Sequence, residues 1–94
     1  MAVTFIFEVP GAGHEQYDAV MERLGPDNPP GRIYHVAGPS EDGWMVVDVW
    51  ESVEHFEKFL AEDLLPAARA TGFFASLPQT FPVYNIVPGT PPAS

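Results

Sequence analysis

The hydrophobic positions of this chain follow two periods, and these divide it into strands and helices. Residues 3–9 are rich in β-branched and aromatic side chains and predict a first strand. Over residues 14–24 the apolar positions recur three and four apart, which predicts an amphipathic helix with a stripe of Tyr17, Val20, Met21 and Leu24. Gly25 and Pro26 then end that helix.

The middle of the chain predicts a hairpin that runs directly into a second helix. Residues 32–37 and 44–50 predict strands two and three, and residues 38–43 predict the turn between them. Ser52 is placed to cap the next helix, since its hydroxyl can accept a hydrogen bond from a free amide of the first turn. The apolar face of this helix is formed by Phe56, Phe59, Leu60, Leu64 and Ala67.

Two prolines shape the last third of the chain. Pro66 cannot continue a helix undisturbed, so a break is expected near residues 64–65, followed by a short helical piece that ends by Gly72. Residues 79–87 predict a fourth strand, and Pro82 assigns it to a sheet edge or a bulge. Residues 88–94 are rich in proline and predict a flexible C-terminal tail.

The element order β-α-β-β-α-β predicts one ferredoxin-like α+β domain over residues 1–87. Right-handed crossovers put both helices on the same face of a four-stranded antiparallel sheet. The other face is then left uncovered. A bare apolar face of this size exceeds what soluble monomers tolerate, so we expect a homodimer with a ligand pocket between the two sheets.

Strand three presents two rows of side chains, because successive residues point to opposite faces. The purely aliphatic row Met45, Val47 and Val49 is expected beneath the helices. The alternate row, with two tryptophans and one acid, is expected on the uncovered face; it comprises Trp44, Val46, Asp48 and Trp50.

Composition and charge exclude several classes of function. The chain is 46% hydrophobic, as expected of a globular domain, and it has no apolar run long enough for a membrane span. Its 4 basic and 13 acidic residues give a net charge of −9, which argues against nucleic-acid and membrane partners. The absence of cysteine and of a signal-like start favours the cytoplasm. The three histidines lack metal-binding spacing, and no cofactor-binding motif is present.

The segment Trp-Met-Val-Val-Asp-Val-Trp-Glu-Ser-Val-Glu-His-Phe-Glu-Lys-Phe over residues 44–59 resembles the dimeric α+β barrel superfamily, and is most similar to its antibiotic biosynthesis monooxygenase-like members. The resemblance implies a cofactor-independent monooxygenase that acts on an aromatic or polyketide-like metabolite. Several catalytic members carry a histidine in or just after helix two, where residues 65–68 of this chain have none. Haem-degrading members use a later histidine, and here only His55 at a helix start is available, so the resemblance does not extend to haem.

His35 is the first candidate for a catalytic role. Pairing Ala37 with Trp44 would place His35 opposite Val46 and diagonal to Asp48 on the pocket face. A histidine beside a carboxylate in an apolar pocket can act as a general base toward a phenolic substrate. The alternative is a hydrogen-bonded core histidine that orders the sheet.

Asp48 is the second candidate, as a single acid within an apolar strand. A buried carboxylate must be paired, hydrated or neutral, and a raised pKa would suit acid–base chemistry. The alternatives are a salt bridge to Arg32 and a polar contact at the dimer interface.

Five further residues are candidates for binding the ligand. Trp44 and Trp50 could stack on an aromatic ligand, or they could serve interface packing instead. Hydrogen bonds within the pocket could come from Tyr34, Tyr84 and Asn85.

Three functions remain open from the sequence. The first is a homodimeric monooxygenase that binds a small hydrophobic or aromatic metabolite and uses His35 and Asp48 to move protons. The second is a non-catalytic ligand-binding or dimerisation module, in which every polar group of the pocket would be satisfied within the protein. The third is a polyketide cyclase-like lyase that uses His35 in place of the missing helix histidine.

Overall fold

The computed structural model describes residues 1–87 and contains one four-stranded sheet with its helices on one side. The elements in chain order are β1 (Val3–Pro10), α1 (His14–Leu24), β2 (Arg32–Ser40), β3 (Gly43–Trp50), α2 (Val53–Phe59), a π-helical turn (Leu60–Leu64), α3 (Leu65–Thr71) and β4 (Gln79–Pro82). All paired strands are antiparallel, in the spatial order β2-β3-β1-β4. This is the predicted ferredoxin-like α+β fold.

The predicted flexible tail, residues 88–94, lies outside the described residues. Within residues 1–87, no helix has the length and apolar character needed to cross a membrane. The cytoplasmic location remains a prediction.

The helices begin and end close to the predicted residues because their capping residues determine these positions. α1 spans His14–Leu24, as predicted. The Ser52 hydroxyl accepts the His55 backbone N–H at 3.2 Å and caps α2. Pro66 lies at the start of α3, and Gly72 ends α3 in the left-handed conformation at φ +76°. Between α2 and α3 the chain forms a π-helical turn, in which the Leu65 N–H donates to the Leu60 carbonyl five residues back.

The assignment of the two sheet faces from the sequence is wrong. The row that contains Val46, Asp48 and Trp50 faces the helices, and the side chain of Trp50 has 0% exposure. These residues pack in a cluster with Val3, Phe5, Phe7, Phe56 and Phe59. Aromatic side chains bury more apolar area than valine or methionine, so this row gives the helices the larger hydrophobic surface to cover. The aliphatic row lies on the open face.

The strand ends also differ from the prediction. β2 and β3 continue to Ser40 and Gly43, which pair with each other, so the turn contains only residues 41 and 42. β4 is an edge strand, as Pro82 predicted, but it ends at Pro82 rather than at residue 87. One further bond joins the Val83 N–H to the Ala2 carbonyl at 2.9 Å. β1 begins at Val3, so there is no more of that strand for residues 84–87 to pair with.

Candidate functional site

The hairpin register brings His35 and Asp48 directly opposite each other. The expected pairing of Ala37 with Trp44 is wrong, because Ala37 pairs with Val46. The short turn moves the register by two residues, and a shift of two keeps each side chain on the same face. His35 therefore shares a face with Asp48, as predicted, and lies closer to it than predicted.

A β-bulge at the start of β2 determines which side chains accompany His35. The register shifts between Arg32 and Tyr34, so that Arg32 pairs with Trp50 and Tyr34 pairs with Val49. In a regular strand, residues 32 and 35 would point to opposite faces. The extra residue restarts the alternation and places Arg32 and His35 together under the helices.

These side chains line a cavity of about 380 Å³ between the helices and the sheet. Its walls are mainly aromatic and aliphatic, with contributions from Phe7, Phe56, Leu64, Phe73 and Leu77. The polar residues among those that line it are Tyr17, Arg32, His35, Asp48 and Ser76. The cavity therefore lies within one chain, and the expectation of a pocket between two sheets does not describe it. Its volume is within the range of about 300–1,000 Å³ that is typical of small-molecule sites.

A continuous chain of hydrogen bonds runs along one wall of this cavity. Asp48 Oδ1 lies 2.6 Å from His35 Nδ1, and Asp48 Oδ2 accepts the indole N–H of Trp50 at 3.3 Å. On the other side of the imidazole, His35 Nε2 lies 2.5 Å from the Tyr17 hydroxyl. A carboxylate can only accept, so Nδ1 carries the proton that it shares with Asp48. In the neutral ring, Nε2 is then an acceptor, and the Tyr17 hydroxyl donates to it.

The site is shielded from water without being closed. The side chain of His35 is 19% exposed and that of Asp48 is 7% exposed. Burial raises the pKa of Tyr17 above its ordinary value of 10.0, and the charges of Asp48 and Asp18 act in the same direction. The positive charge of Arg32 opposes this rise. The phenol is therefore protonated at neutral pH and available as a donor to His35.

Tyr17 is the site residue that the sequence analysis missed. It was assigned to the apolar stripe of α1, and its ring does pack against Trp44 with the centroids 5.4 Å apart. The sequence signal for this role is that Tyr17 carries the one hydroxyl within that stripe. Its hydrogen-bond partner, His35, is identified only when α1 packs over β2. The proposed salt bridge between Asp48 and Arg32 is not formed, because the Arg32 Nε–H donates to Asn28 Oδ1 at 2.8 Å.

The structure does not bring the other five predicted residues into this cavity. Trp50 is completely buried in the core, and Trp44 packs against the ring of Tyr17 without lining the cavity. Tyr34, Tyr84 and Asn85 line a shallow depression of about 440 Å³ on the open face. Their role in ligand binding stays a prediction that no contact in the cavity supports. In the described part of the chain, no three histidine or acidic side chains gather as metal ligands would.

Comparisons with known proteins agree on the fold. No protein-family model and no curated protein matches the chain. Among solved structures, it is similar to SnoaB, a cofactor-independent oxygenase from Streptomyces nogalater, with a TM-score of 0.64 and 22% identity over 94% of this chain and 98% of that one. A candidate antibiotic biosynthesis monooxygenase from Chloroflexus aurantiacus gives a TM-score of 0.62 and 18% identity over 96% and 98%. MupZ from Pseudomonas fluorescens gives 0.52 and 14% over 84% and 66%.

These similarities confirm the resemblance in fold that residues 44–59 indicated. The chain has the α+β fold of antibiotic biosynthesis monooxygenase-like proteins. At identities of 14–22%, the fold is the property that is shared.

Proposed function

We propose that this protein is a cofactor-independent monooxygenase that oxidises a small aromatic substrate in the cavity between the helices and the sheet. The observation that carries the proposal is the hydrogen-bonded series Asp48–His35–Tyr17 on the wall of a largely apolar cavity. Oxygenation without a cofactor requires a substrate that becomes electron-rich when it loses a proton. It therefore requires a base in a dry, aromatic site.

The three side chains form a route for that proton. The Tyr17 hydroxyl can accept a proton from the substrate while it passes its own to His35 Nε2, 2.5 Å away. His35 then becomes an imidazolium, and the Asp48 carboxylate at 2.6 Å stabilises the new positive charge. Asp48 is itself held by the Trp50 indole, so the imidazole keeps one orientation.

The reaction balances with dioxygen as the only co-reactant. The deprotonated substrate carbon gives its electrons to dioxygen, and the proton stored on His35 converts the resulting peroxide anion into a hydroperoxide. Loss of the remaining hydrogen from that carbon then cleaves the O–O bond and leaves a carbonyl, and the departing oxygen takes up this second proton and leaves as water. A methylene group and dioxygen thus yield a carbonyl and water. The protein ends in the state in which it began.

The same hydrogen bonds also favour a second function, a non-catalytic ligand-binding module. Both nitrogens of His35 and both oxygens of Asp48 already have partners within the protein. This complete satisfaction is what a binding module predicts. The two functions differ in whether Tyr17 and His35 exchange a proton with the ligand.

Oxygen consumption with a dihydroxyanthrone, a phenolic aromatic with an acidic methylene, tests the proposal. We expect His35→Ala to lower the rate by about 100-fold or more, the usual contribution of a general base. His14→Ala is the matched control, because the His14 side chain is 74% exposed on α1 and should leave the rate unchanged. Binding of the anthrone without oxygen uptake above the buffer rate would support the binding module and reject the monooxygenase.

We further propose that the open sheet face is covered by a second copy of this chain. The face carries exposed apolar side chains on its two edge strands: on β2, Val36 is 63% exposed and Tyr34 40% exposed, and on β4, Phe81 is 51% exposed. Strands of this length and spacing give a face of roughly 400 Å². At about 25 cal/mol per Å², burial of that area on each subunit contributes about 10 kcal/mol per subunit before the cost of association. A two-fold axis would pair the face with itself.

A further inference from the structure

The cavity wall carries a single arginine or lysine side chain, and its position depends on a local irregularity. Of the four basic residues in the chain, only Arg32 lines the cavity. It points there because of the β-bulge that separates it from Tyr34. β-Bulges commonly re-aim a side chain next to a functional site. A regular strand would have placed this cation on the open face instead.

The loop before β2 holds the guanidinium in place from one side only. Asn28 Oδ1 accepts the Arg32 Nε–H at 2.8 Å, while Asn28 Nδ2 donates to the Arg32 backbone carbonyl at 2.8 Å. The two terminal amino groups of the guanidinium make no hydrogen bond within residues 1–87. No carboxylate in that part of the chain lies within 4 Å of them. A guanidinium at the cavity wall with its terminal edge unpaired is prepared to bind a planar anion.

Because the protein is strongly acidic, the positive charge of Arg32 is important for binding an anion. With a net charge of −9, the protein as a whole repels anions, so a bound anion needs a local positive partner. The nearest acid in the cavity is Asp48, and its two oxygens are already engaged by His35 and Trp50. The charge of Arg32 reaches the rest of the site, because it lowers the pKa of Tyr17 against the effect of burial.

We propose that the cavity binds an aromatic carboxylate, with the carboxylate on the terminal amino groups of Arg32 and the ring between the aromatic walls, facing Tyr17 and His35. The proposal names the class of substrate. It rests on the proposed function in one respect only, because both take the cavity as the ligand-binding site. Bidentate pairing with Arg32 fixes one end of the ligand. The ring is then oriented so that one edge meets the Tyr17 hydroxyl.

Binding of a matched pair of probes tests this assignment on the intact protein. The probes are 3-hydroxy-2-naphthoate and its uncharged carboxamide, titrated by calorimetry. We expect the carboxylate to bind about tenfold or more tightly than the amide, since a hydrogen bond to a charged partner contributes more than a neutral one. Its affinity should fall as salt is added, whereas that of the amide should not.

Substitutions then test whether Arg32 causes the difference in affinity between the carboxylate and the amide. Arg32→Gln should remove the preference for the carboxylate and leave amide binding unchanged, whereas Arg32→Lys should retain part of it. Asn28→Ala should weaken carboxylate binding by a smaller factor, because Asn28 only positions the guanidinium. Arg69→Gln is the matched control, since this exposed arginine of α3 does not line the cavity.

Equal affinity of the wild-type protein for the two probes would overturn the proposal, as would the absence of binding by either probe at millimolar concentration. This comparison does not depend on whether a variant folds. Failure of the monooxygenase proposal looks different: the carboxylate binds through Arg32, yet no oxygen is consumed with any phenolic probe. Conversely, a phenolic carboxylate that is oxidised as fast and at the same KM by Arg32→Gln as by the wild type would keep the function and reject the carboxylate assignment.

Discussion

The face of the sheet under the helices and the open face are built from alternate residues of the same strands. On the covered face, Phe5, Val46 and Trp50 form the core, and the polar atoms of Asp48 are paired with His35 and with the Trp50 indole. The open face carries aliphatic and aromatic side chains such as Val36 and Tyr34, which remain exposed.

The difference shows that an acid does not identify the solvent side of a sheet. Asp48 tolerates burial because two donors meet its two oxygens. The exposed side chains of the open face, such as Val36 and Tyr34, favour contact with another apolar surface. The covered face, which contains Asp48, is thus suited to chemistry, and the open face is suited to association.

The largest expected difference between the faces concerns stability. Trp50→Ala should lower the free energy of unfolding by about 3–5 kcal/mol, because it leaves a large cavity in the core and removes a donor from Asp48. Tyr34→Ala, the matched aromatic on the open face, should cost far less in the monomer. Urea unfolding followed by circular dichroism measures both losses.

Protein concentration separates the two effects further. The loss in Trp50→Ala should not depend on concentration, whereas the loss in Tyr34→Ala should grow with concentration if Tyr34 contacts a second copy. Equal losses for the two variants at low concentration would mean that the faces do not differ as the structure indicates.

The sequence predicted local structure well, because local chemistry decides it. The apolar stripe from Tyr17 to Leu24 is sufficient to predict α1. The Ser52 hydroxyl marks the start of α2 by accepting a backbone N–H, and Gly72 marks the end of α3 by its left-handed conformation. The choice between the two rows of β3 is not local. Alternation separates the rows, but the helices select the row with the larger aromatic surface, and only the assembled sheet brings His35 to Asp48.

The rest of the site depended on two features without a sequence signal. The two-residue turn set the register of His35, although Gly38, Pro39 and Gly43 had indicated a longer turn. The bulge after Arg32 lies in a stretch of ordinary strand residues, so the sequence indicated Arg32 only as a salt-bridge partner of Asp48 and not as a residue that lines the cavity. Tyr17 was recognised as apolar surface and not as a hydroxyl.

Association through the open face gives the next prediction. Val47→Asp should weaken a homodimer by about 100-fold or more, because a carboxylate buried at the interface would have no partner. Ala61→Asp adds the same charge at an exposed helical position and should leave association unchanged. Analytical ultracentrifugation measures both. A wild-type protein that stays at 10.3 kDa at micromolar concentration would reject the dimer before any variant is made.

The smallest expected effect concerns the hydrogen bond between Tyr17 and His35, and it depends on pH. Tyr17→Phe removes the hydrogen bond from the Tyr17 hydroxyl to His35 and should cost about 1 kcal/mol of stability at neutral pH.

Because burial raises the pKa of Tyr17 above 10.0, the folded state favours the protonated phenol. That contribution is complete below pH 10 and is lost as the pH rises through the folded pKa. The stability deficit of Tyr17→Phe relative to the wild type should therefore shrink as the pH rises above 10 towards the folded pKa of Tyr17. Tyr34→Phe keeps Tyr17 and should retain the wild-type alkaline decline. A deficit in Tyr17→Phe that stays constant over this range would show that the phenol is not held protonated against His35, and would remove Tyr17 from the proton route.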